Sequence, residues 1–283
     1  MNLDLLPEDC FAHILSFTSP RDACCTSVVS SVVRSLADLD TVWEKFLPSD
    51  YPEILSRIVS PMTCSSKKEL FLRLCNPHLI DDGRKIISLE KSTGKKSYVL
   101  SSRELSISWA TNPLYWSWKP HQQSRFREVV ELRTICWLQI NGKFNTQMLS
   151  PRTDYGVYLI FKFADRAHGL DTLPSEVSVQ VGNFKTQGKV YLRRQDKSKQ
   201  AVESVCFLNR MTAPRSRTQG RDGSTSYSSA PCDREDGWTE IELGSFYNQG
   251  GANTEVEMGL KEVTGEHLKG GLIVEGIEIR PNS

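Results

Sequence analysis

Residues 6–20, LPEDCFAHILSFTSP, and residues 42–48, VWEKFLP, decide how the first part of this chain folds. In the first stretch the apolar residues recur at roughly helical spacing behind Pro7, and proline suits the first position of a helix. Ser19 begins a second helix, because a serine cap followed three residues later by an acid, here Asp22, marks a helix start. The stretch therefore predicts two short helices in close succession.

A third helix is predicted from about Asp38 to Phe46, and Pro48 stops it. Three short helices bury too little apolar surface to be stable alone, and a unit of this size usually completes its core on a partner. We therefore expect residues 1–48 to form a three-helix domain that binds another protein.

The charge balance argues against several classes of partner. The chain of 283 residues has 35 Lys and Arg against 34 Asp and Glu, so no global field attracts nucleic acid or an anionic membrane. No apolar run approaches the ~20 residues that a bilayer span needs. Because the first residues are acidic rather than basic, we expect no signal peptide.

Cysteine usage predicts a reducing compartment. The eight cysteines include no C-x-x-C pair, and Cys24 and Cys25 are adjacent, which is poor geometry for a disulfide or a shared metal. The sequence also lacks an N-x-[ST] glycosylation acceptor. We expect the protein in the cytoplasm and nucleus.

Residues 49–95 are predicted to be a helical connector. Two short helices are expected, one around Ile54 and one around Leu70, with Pro61 between them. Residues 81–97 are polar and rich in lysine around one short apolar run, which predicts a connector with one strand.

From about Lys96 the apolar period changes from 3.6 to 2, which indicates strands. Alternation up to Ile140 leads into Asn141-Gly142, a strong signal for a hairpin turn. Many short strands with little helix predict an antiparallel β-sandwich, and the composition of residues 212–236 predicts a long mobile loop. Further strands are predicted at 155–163, 177–181, 189–192, 202–207, 238–243, 256–260 and 272–279.

Catalytic signatures are scarce. Residues 182–189, GNFKTQGK, have five residues rather than four between the glycines, and a valine follows the lysine, so they predict a hairpin and not a phosphate loop. The five histidines are widely scattered and indicate no metal site or catalytic base. The sequence therefore favours a protein that is not an enzyme and needs no cofactor.

A cluster of aromatic residues gives the clearest candidate binding site. Trp109 and Trp116 flank the turn at Asn112-Pro113, and flat aromatic faces there could stack on sugar rings. Spacing alone favours a position in the core for such tryptophans, because Trp is largely buried on average. Trp118 and Trp137 are predicted to be core residues.

The order of motifs resembles one known combination of domains. The first part is similar to the F-box of plant F-box proteins, and residues 96–281 are similar to the phloem protein 2-type domain, which is related to the tobacco lectin Nictaba. The blocks that carry the resemblance are LPEDCFAHILSFTSP and VWEKFLPSDYPEIL in the first part, and LSISWATNPLYWSW, EVVELRTICWLQINGKF, YGVYLIFKF, DGWTEIELGSFYNQGG, EVEMGL and GLIVEGIEIRPN in the second.

The resemblance implies an α+β chain with three parts. These are an F-box at 1–48, a helical connector at 49–95 and a jelly-roll-like, lectin-related sandwich at 96–281. It also implies an adaptor-binding surface of six residues, Leu5, Leu6, Pro7, Ile14, Leu15 and Pro20.

For the lectin-like part, the resemblance implies a carbohydrate site at Trp109, Trp116 and Ser245. Ser245 and Ala252 stand where sugar-binding relatives have glutamates, and losing these acceptors should weaken sugar binding or change its specificity.

The function that follows from the resemblance is substrate recognition in a Skp–cullin–F-box ubiquitin ligase. The F-box would dock on a Skp-type adaptor and through it on a cullin–RING ligase, while the lectin-like domain selects target proteins, with glycans as one means of selection. Two alternatives stay open at this point. One is a carbohydrate-binding lectin without a ligase role, and the other is a sugar-independent protein-interaction module.

Overall fold

The computed structural model describes residues 8–192, 225–251 and 254–282, and the fold is α+β. Helices come first and strands follow, as the sequence predicts. The helices are α1 (Glu8–Ser16), α2 (Pro20–Thr26), α3 (Ser31–Ala37), α4 (Asp40–Phe46), α5 (Tyr51–Arg57) and α6 (Lys67–Leu74). None of the helices in these ranges is long and apolar enough to cross a bilayer.

Fifteen strands follow the helices in the described part of the chain. They are β1 (His78–Ile80), β2 (Lys85–Leu89), β3 (Lys96–Ser101), β4 (Ser106–Ile107), β5 (Trp116–Lys119), β6 (Val129–Leu132), β7 (Leu138–Asn145), β8 (Thr153–His168), β9 (Ser175–Val181), β10 (Phe184–Val190), β11 (Thr225–Ser229), β12 (Cys232–Asp233), β13 (Thr239–Asn248), β14 (Glu255–Glu262) and β15 (Gly270–Pro281).

The first helices form partly as predicted. Ser19 caps α2, since its side chain accepts the Asp22 N–H while the Asp22 carboxylate accepts the Ser19 N–H. The predicted count of three helices is wrong, because α3 forms between α2 and α4. The Ser30 side chain caps α3 by accepting the Val33 N–H at 3.1 Å. The sequence pattern did not reveal this helix start, because valines surround the serine.

The strands form two sheets. Sheet 1 has the order β1-β2-β3-β15-β8-β13-β12, with β6 also beside β15 and β5 beside β6, and sheet 2 has the order β11-β10-β9-β14-β7-β4. All pairs are antiparallel except β10 with β11. Inward-facing residues of both sheets, such as Phe161 of β8 and Val179 of β9, belong to one apolar core. The predicted antiparallel sandwich is confirmed.

One predicted turn is wrong. Asn141 and Gly142 lie inside β7, where they pair with Gly259 and Met258 of β14. Gly142 lies in a crowded place rather than in a turn, because an added Cβ would lie 3.1 Å from the Ile277 side chain in the opposite sheet. The predicted hairpin at 182–189 is confirmed, with Gly182 at φ +55° in the turn between β9 and β10.

Two sequence predictions fall partly or wholly outside the described residues. The strand predicted at 202–207 lies outside them, as does the first part of the loop predicted at 212–236. The remainder of that loop contains β11 and β12, so it is not structureless.

The connector is shorter than the predicted range 49–95, because the sheet begins at His78. Strands β1 and β2 extend sheet 1 beyond β3, with Ile87 opposite Tyr98. The turn between β2 and β3 also contacts the helices: Gly94 has φ +72°, and an added Cβ there would lie 2.7 Å from the Phe46 carbonyl oxygen. Lys96 is buried and forms an ion pair with Asp50 at 2.8 Å. Helices and sandwich therefore share one core.

A truncated chain tests this boundary. A chain that begins at Lys96 loses the buried residues Ile80, Ile87 and Leu89, each worth roughly 1.5–3 kcal/mol on burial. Since a whole domain is stable by only about 5–15 kcal/mol, we expect residues 96–283 to lack a cooperative thermal transition. Residues 78–283 keep both strands and serve as the control. Equal transition temperatures for the two fragments would show that β1 and β2 are dispensable.

An ion pair joins α5 to the start of the sheet. The Arg57 guanidinium donates to both oxygens of the Asp81 carboxylate, at 2.9 and 2.8 Å, and Lys85 donates to the same group at 3.0 Å. The hydrogen bond from Arg57 lowers the pKa of Asp81 to about 2. Asp81 therefore stabilises the folded chain when it is ionised.

This ion pair predicts a pH dependence. The folded pKa of Asp81 lies below the unfolded value of about 3.9, so its stabilisation is present above pH ~4 and is lost as the pH falls towards 2. We expect Asp81→Asn to lower the free energy of unfolding by about 2 kcal/mol at pH 7. The difference from the native chain should shrink as the pH approaches 2. Asp82→Asn is the control, since exposed Asp82 has a similar backbone, with φ +56° against +52°. Denaturant titrations that give the two variants the same pH profile would contradict this assignment.

Candidate functional site

The first candidate surface consists of exposed apolar residues on α1, on α3 and in the turns on either side of α2. Of the sixteen exposed large apolar side chains in the described residues, five lie between positions 14 and 32. We call these five the helical apolar face: Ile14, Phe17, Val28, Val29 and Val32. Phe17 is 77% exposed, although a phenylalanine normally contributes to a core. Five such residues within one short segment make it a candidate surface for binding another protein.

The six residues of the predicted adaptor surface separate into three groups. Leu5, Leu6 and Pro7 lie outside the described residues. Ile14 is exposed on α1 and belongs to the helical apolar face. Leu15 and Pro20 are buried, so they support the helices from inside. The sequence pattern missed Phe17 and the valines, because helical periodicity alone does not show which apolar residues the small core has room for.

The second candidate surface lies at one end of the sandwich. We call it the aromatic end and define it by three loops, 108–115, 133–137 and 263–269. Backbone hydrogen bonds tie these loops together: Arg133 N–H donates to the Tyr115 carbonyl at 2.8 Å, and Ile135 and Lys269 exchange two bonds of 2.9 and 2.8 Å. The exposed apolar residues of this end are Trp109, Leu114, Trp137, Val263 and Leu268.

Trp109 is the most unusual residue of the aromatic end. It is 61% exposed, and its backbone adopts φ +65°, in the left-handed region. This conformation costs a bulky L-residue roughly 1–2 kcal/mol. Its ring has an edge contact with Tyr115, at 6.1 Å between centroids, and its exposure leaves ring surface accessible to a ligand.

Trp116 is buried, although the family resemblance implies that it contributes to a carbohydrate site. It is 1% exposed, and its indole N–H donates to the Ser108 carbonyl at 2.9 Å. Its ring faces are covered, so in this structure Trp116 offers no surface for stacking. Trp116 is therefore a core residue, which is the position that spacing alone favours.

Trp118 and Trp137 differ from each other. Trp118, predicted to be a core residue, is partly buried and packs against the core, and the Arg103 guanidinium lies 3.6 Å from its ring centroid. The prediction of a core position for Trp137 is wrong, because it is 54% exposed. Residues 133–137 form a loop that ends before β7, so the alternating pattern does not continue through Trp137.

Ser245 lies away from the aromatic end. Ser245 on β13 lies at the same level of sheet 1 as Arg280 on β15. Trp116 on β5 lies one residue beyond the level of Ile273 on β15. At 3.3 Å per residue these positions are about 25 Å apart along the sheet. The structure therefore does not bring Ser245 together with the tryptophans, which corrects the predicted grouping. Ala252 lies outside the described residues.

A buried ion pair supports the aromatic end. Lys269 and Glu262 form this pair, and both side chains are almost wholly buried. The Lys269 ammonium also donates to the Cys136 carbonyl at 2.6 Å, which holds the loop beside Trp137. Burial lowers the pKa of Lys269. No group of three His, Cys, Asp or Glu side chains in the described ranges is arranged to hold a metal ion.

Comparison with known proteins places the chain in a family. Residues 3–45 match the F-box domain family, and residues 95–281 match the family Phloem protein 2. The chain belongs to the F-box proteins with a phloem protein 2 domain. This confirms the resemblance seen in the sequence.

Relatives in Arabidopsis thaliana match nearly the whole chain. The chain is 49% identical to F-box protein PP2-B15 over 98% of this chain and 96% of the relative. It is 44% identical to F-box protein VBF over 99% of both chains. Among solved structures, a Podospora anserina GH26-CBM35 β-(1,4)-mannanase matches 66% of this chain and 28% of its own, at 7% identity and a TM-score of 0.32, which is too low to support an argument.

The buried ion pair gives a test of how the aromatic end is held. Lys269→Met leaves the Glu262 carboxylate buried without its cation, so we expect a loss of about 3–5 kcal/mol in the free energy of unfolding. Combining it with Glu262→Gln removes the unpaired charge and should recover part of this loss. Denaturant unfolding measures both variants. A single variant within 1 kcal/mol of the native chain would show that the pair is not needed.

Proposed function

We propose that this chain is the substrate-recognition subunit of a Skp–cullin–F-box ubiquitin ligase. The observation that carries the proposal is the helical apolar face within the F-box match. Ubiquitin transfer is the work of other subunits, so the chain itself needs no catalytic residue. Its contribution is proximity, since holding a target near the ligase raises the effective concentration of the reacting groups. The proposal includes action in the cytoplasm and nucleus.

The helical apolar face has the chemistry that adaptor binding needs. Burial of a side chain such as Phe17 or Ile14 in a partner groove is worth roughly 1.5–3 kcal/mol each. Ile14 lies on α1 and Phe17 in the turn directly after it, so the end of α1 presents an aliphatic and an aromatic anchor of the kind used in helix-in-groove recognition. The face therefore suits a Skp-type adaptor that presents an apolar groove.

Charge substitutions on this face test adaptor binding. We expect Ile14→Asp combined with Phe17→Asp to reduce co-purification of a Skp-type adaptor at least a hundredfold, because two anchors are lost and two charges would be buried. Leu72→Asp is the matched control, since Leu72 is an exposed leucine on α6, outside the F-box match. Undiminished adaptor binding by the double variant, with the fold intact by circular dichroism, would refute the proposed docking face.

The aromatic end is the proposed surface for target selection. The exposed ring of Trp109 can stack on the C–H face of a sugar ring, and exposed Trp137 adds a second ring at the same end. Glycans on target proteins are therefore the proposed ligands. The aliphatic residues Leu114 and Leu268 favour the second candidate, a sugar-independent contact with the target protein.

Glycan binding separates these two candidates. We expect the full chain to bind tri-N-acetylglucosamine or a high-mannose glycan weakly in calorimetry, and Trp109→Ala to weaken this binding about tenfold or more, because the stacking face is lost. Phe184→Ala is the control, since Phe184 is an exposed aromatic residue on β10. If the native chain binds neither glycan, the sugar-dependent form of the proposal fails and the protein contact remains.

A further inference from the structure

Two indoles, one buried and one partly buried, bind the backbone on both sides of Trp109. The Trp116 N–H donates to the Ser108 carbonyl at 2.9 Å, and the Trp118 N–H donates to the Ala110 carbonyl at 3.0 Å. The two bonds have the same offset of eight residues, and their donors are two residues apart on β5. Two neighbouring side chains of one strand therefore hold two alternate carbonyls of one loop.

The loop that they hold is strained. Trp109 has φ +65°, which for a bulky residue is a genuine outlier, and such a conformation persists only when the surroundings over-determine it. The Trp109 carbonyl is also fixed, because it accepts the Asn112 N–H at 2.9 Å. Three consecutive carbonyls are thus held, which fixes the peptide planes that orient the Trp109 side chain.

We propose that Trp116 and Trp118 are positioning residues that hold the Trp109 ring outwards, and that the ligand contacts Trp109 and not Trp116. This inference rests on the proposed glycan selection at the aromatic end. Trp116 acts through its N–H bond to the loop, since its covered ring cannot reach a ligand. Strand β5 is suited to this task because it is paired along its length with β6.

The chain offers a matched control for such a bond. Trp238 is also almost wholly buried, and its indole N–H donates to the Gln123 carbonyl at 2.9 Å, in a different loop. Replacing any of the three donors by phenylalanine removes one N–H bond and keeps an aromatic ring. Only the replacements at Trp116 and Trp118 should affect Trp109.

The experiment uses the full chain with ¹⁵N-labelled indoles. The Trp109 indole signal is assigned with Trp109→Phe, and Trp116→Phe, Trp118→Phe and Trp238→Phe are compared. We expect the Trp109 signal to shift and broaden in the first two and to stay unchanged in the third. With tri-N-acetylglucosamine as the probe, we expect Trp116→Phe and Trp118→Phe to bind about 3- to 10-fold more weakly, because each variant loses one hydrogen bond that holds the loop. Trp238→Phe should bind like the native chain.

The outcomes separate this inference from the proposed function. An unchanged Trp109 signal in both Trp116→Phe and Trp118→Phe overturns the positioning role, whatever happens to binding. A large loss of binding in Trp116→Phe with an unchanged Trp109 signal shows instead that Trp116 contacts the sugar. If the native chain does not bind the probe, the glycan proposal fails, and the Trp109 signal alone decides whether the two indoles position it. Trp118 is only partly buried, so its variant keeps the test valid if Trp116→Phe does not fold.

Discussion

The packing of Trp43 against Phe71 is the contact on which the arrangement of the whole chain depends. The two rings lie 5.3 Å apart and join α4, in the F-box, to α6, which in turn contacts β2 of sheet 1. Trp43 is also fixed from the F-box side, because its indole N–H donates to the Ala37 carbonyl at 2.7 Å. One apolar core therefore runs from the first helices into the sandwich, and the two parts stabilise each other.

A shared core explains why the helical apolar face stays exposed. The F-box helices pack on one another and α4 packs on α6, so their buried residues belong to the same core as the sheet. Residues such as Phe17 and Val29 do not take part in this core and stay 77% and 65% exposed. Their exposure leaves a surface suited to a second protein.

The sequence predicted the parts of the fold that depend on local pattern. Helix caps and the change of apolar period depend on a few neighbouring residues, so the α+β order and the sandwich were predictable. Gly142 was misassigned to a turn because a glycine can also be favoured by crowding from the opposite sheet, which no local pattern records. Trp116 and Trp137 could not be told apart for a similar reason, since burial depends on which loops cover each ring. The separation of Ser245 from both depends on strand register, which is a property of the assembled sheet.

The charge of the chain makes a pre-organised contact surface important for target selection. With 35 basic and 34 acidic side chains, the protein has no strong field to steer a partner from a distance, so selection depends on contacts made at short range. Such contacts lose affinity when side chains must be ordered on binding. The cost is avoided at Trp109, because bonds within the chain already hold its loop before any ligand arrives. The same shared core fixes the aromatic end relative to the F-box helices, so a target bound at the proposed site would occupy a defined position with respect to the proposed adaptor.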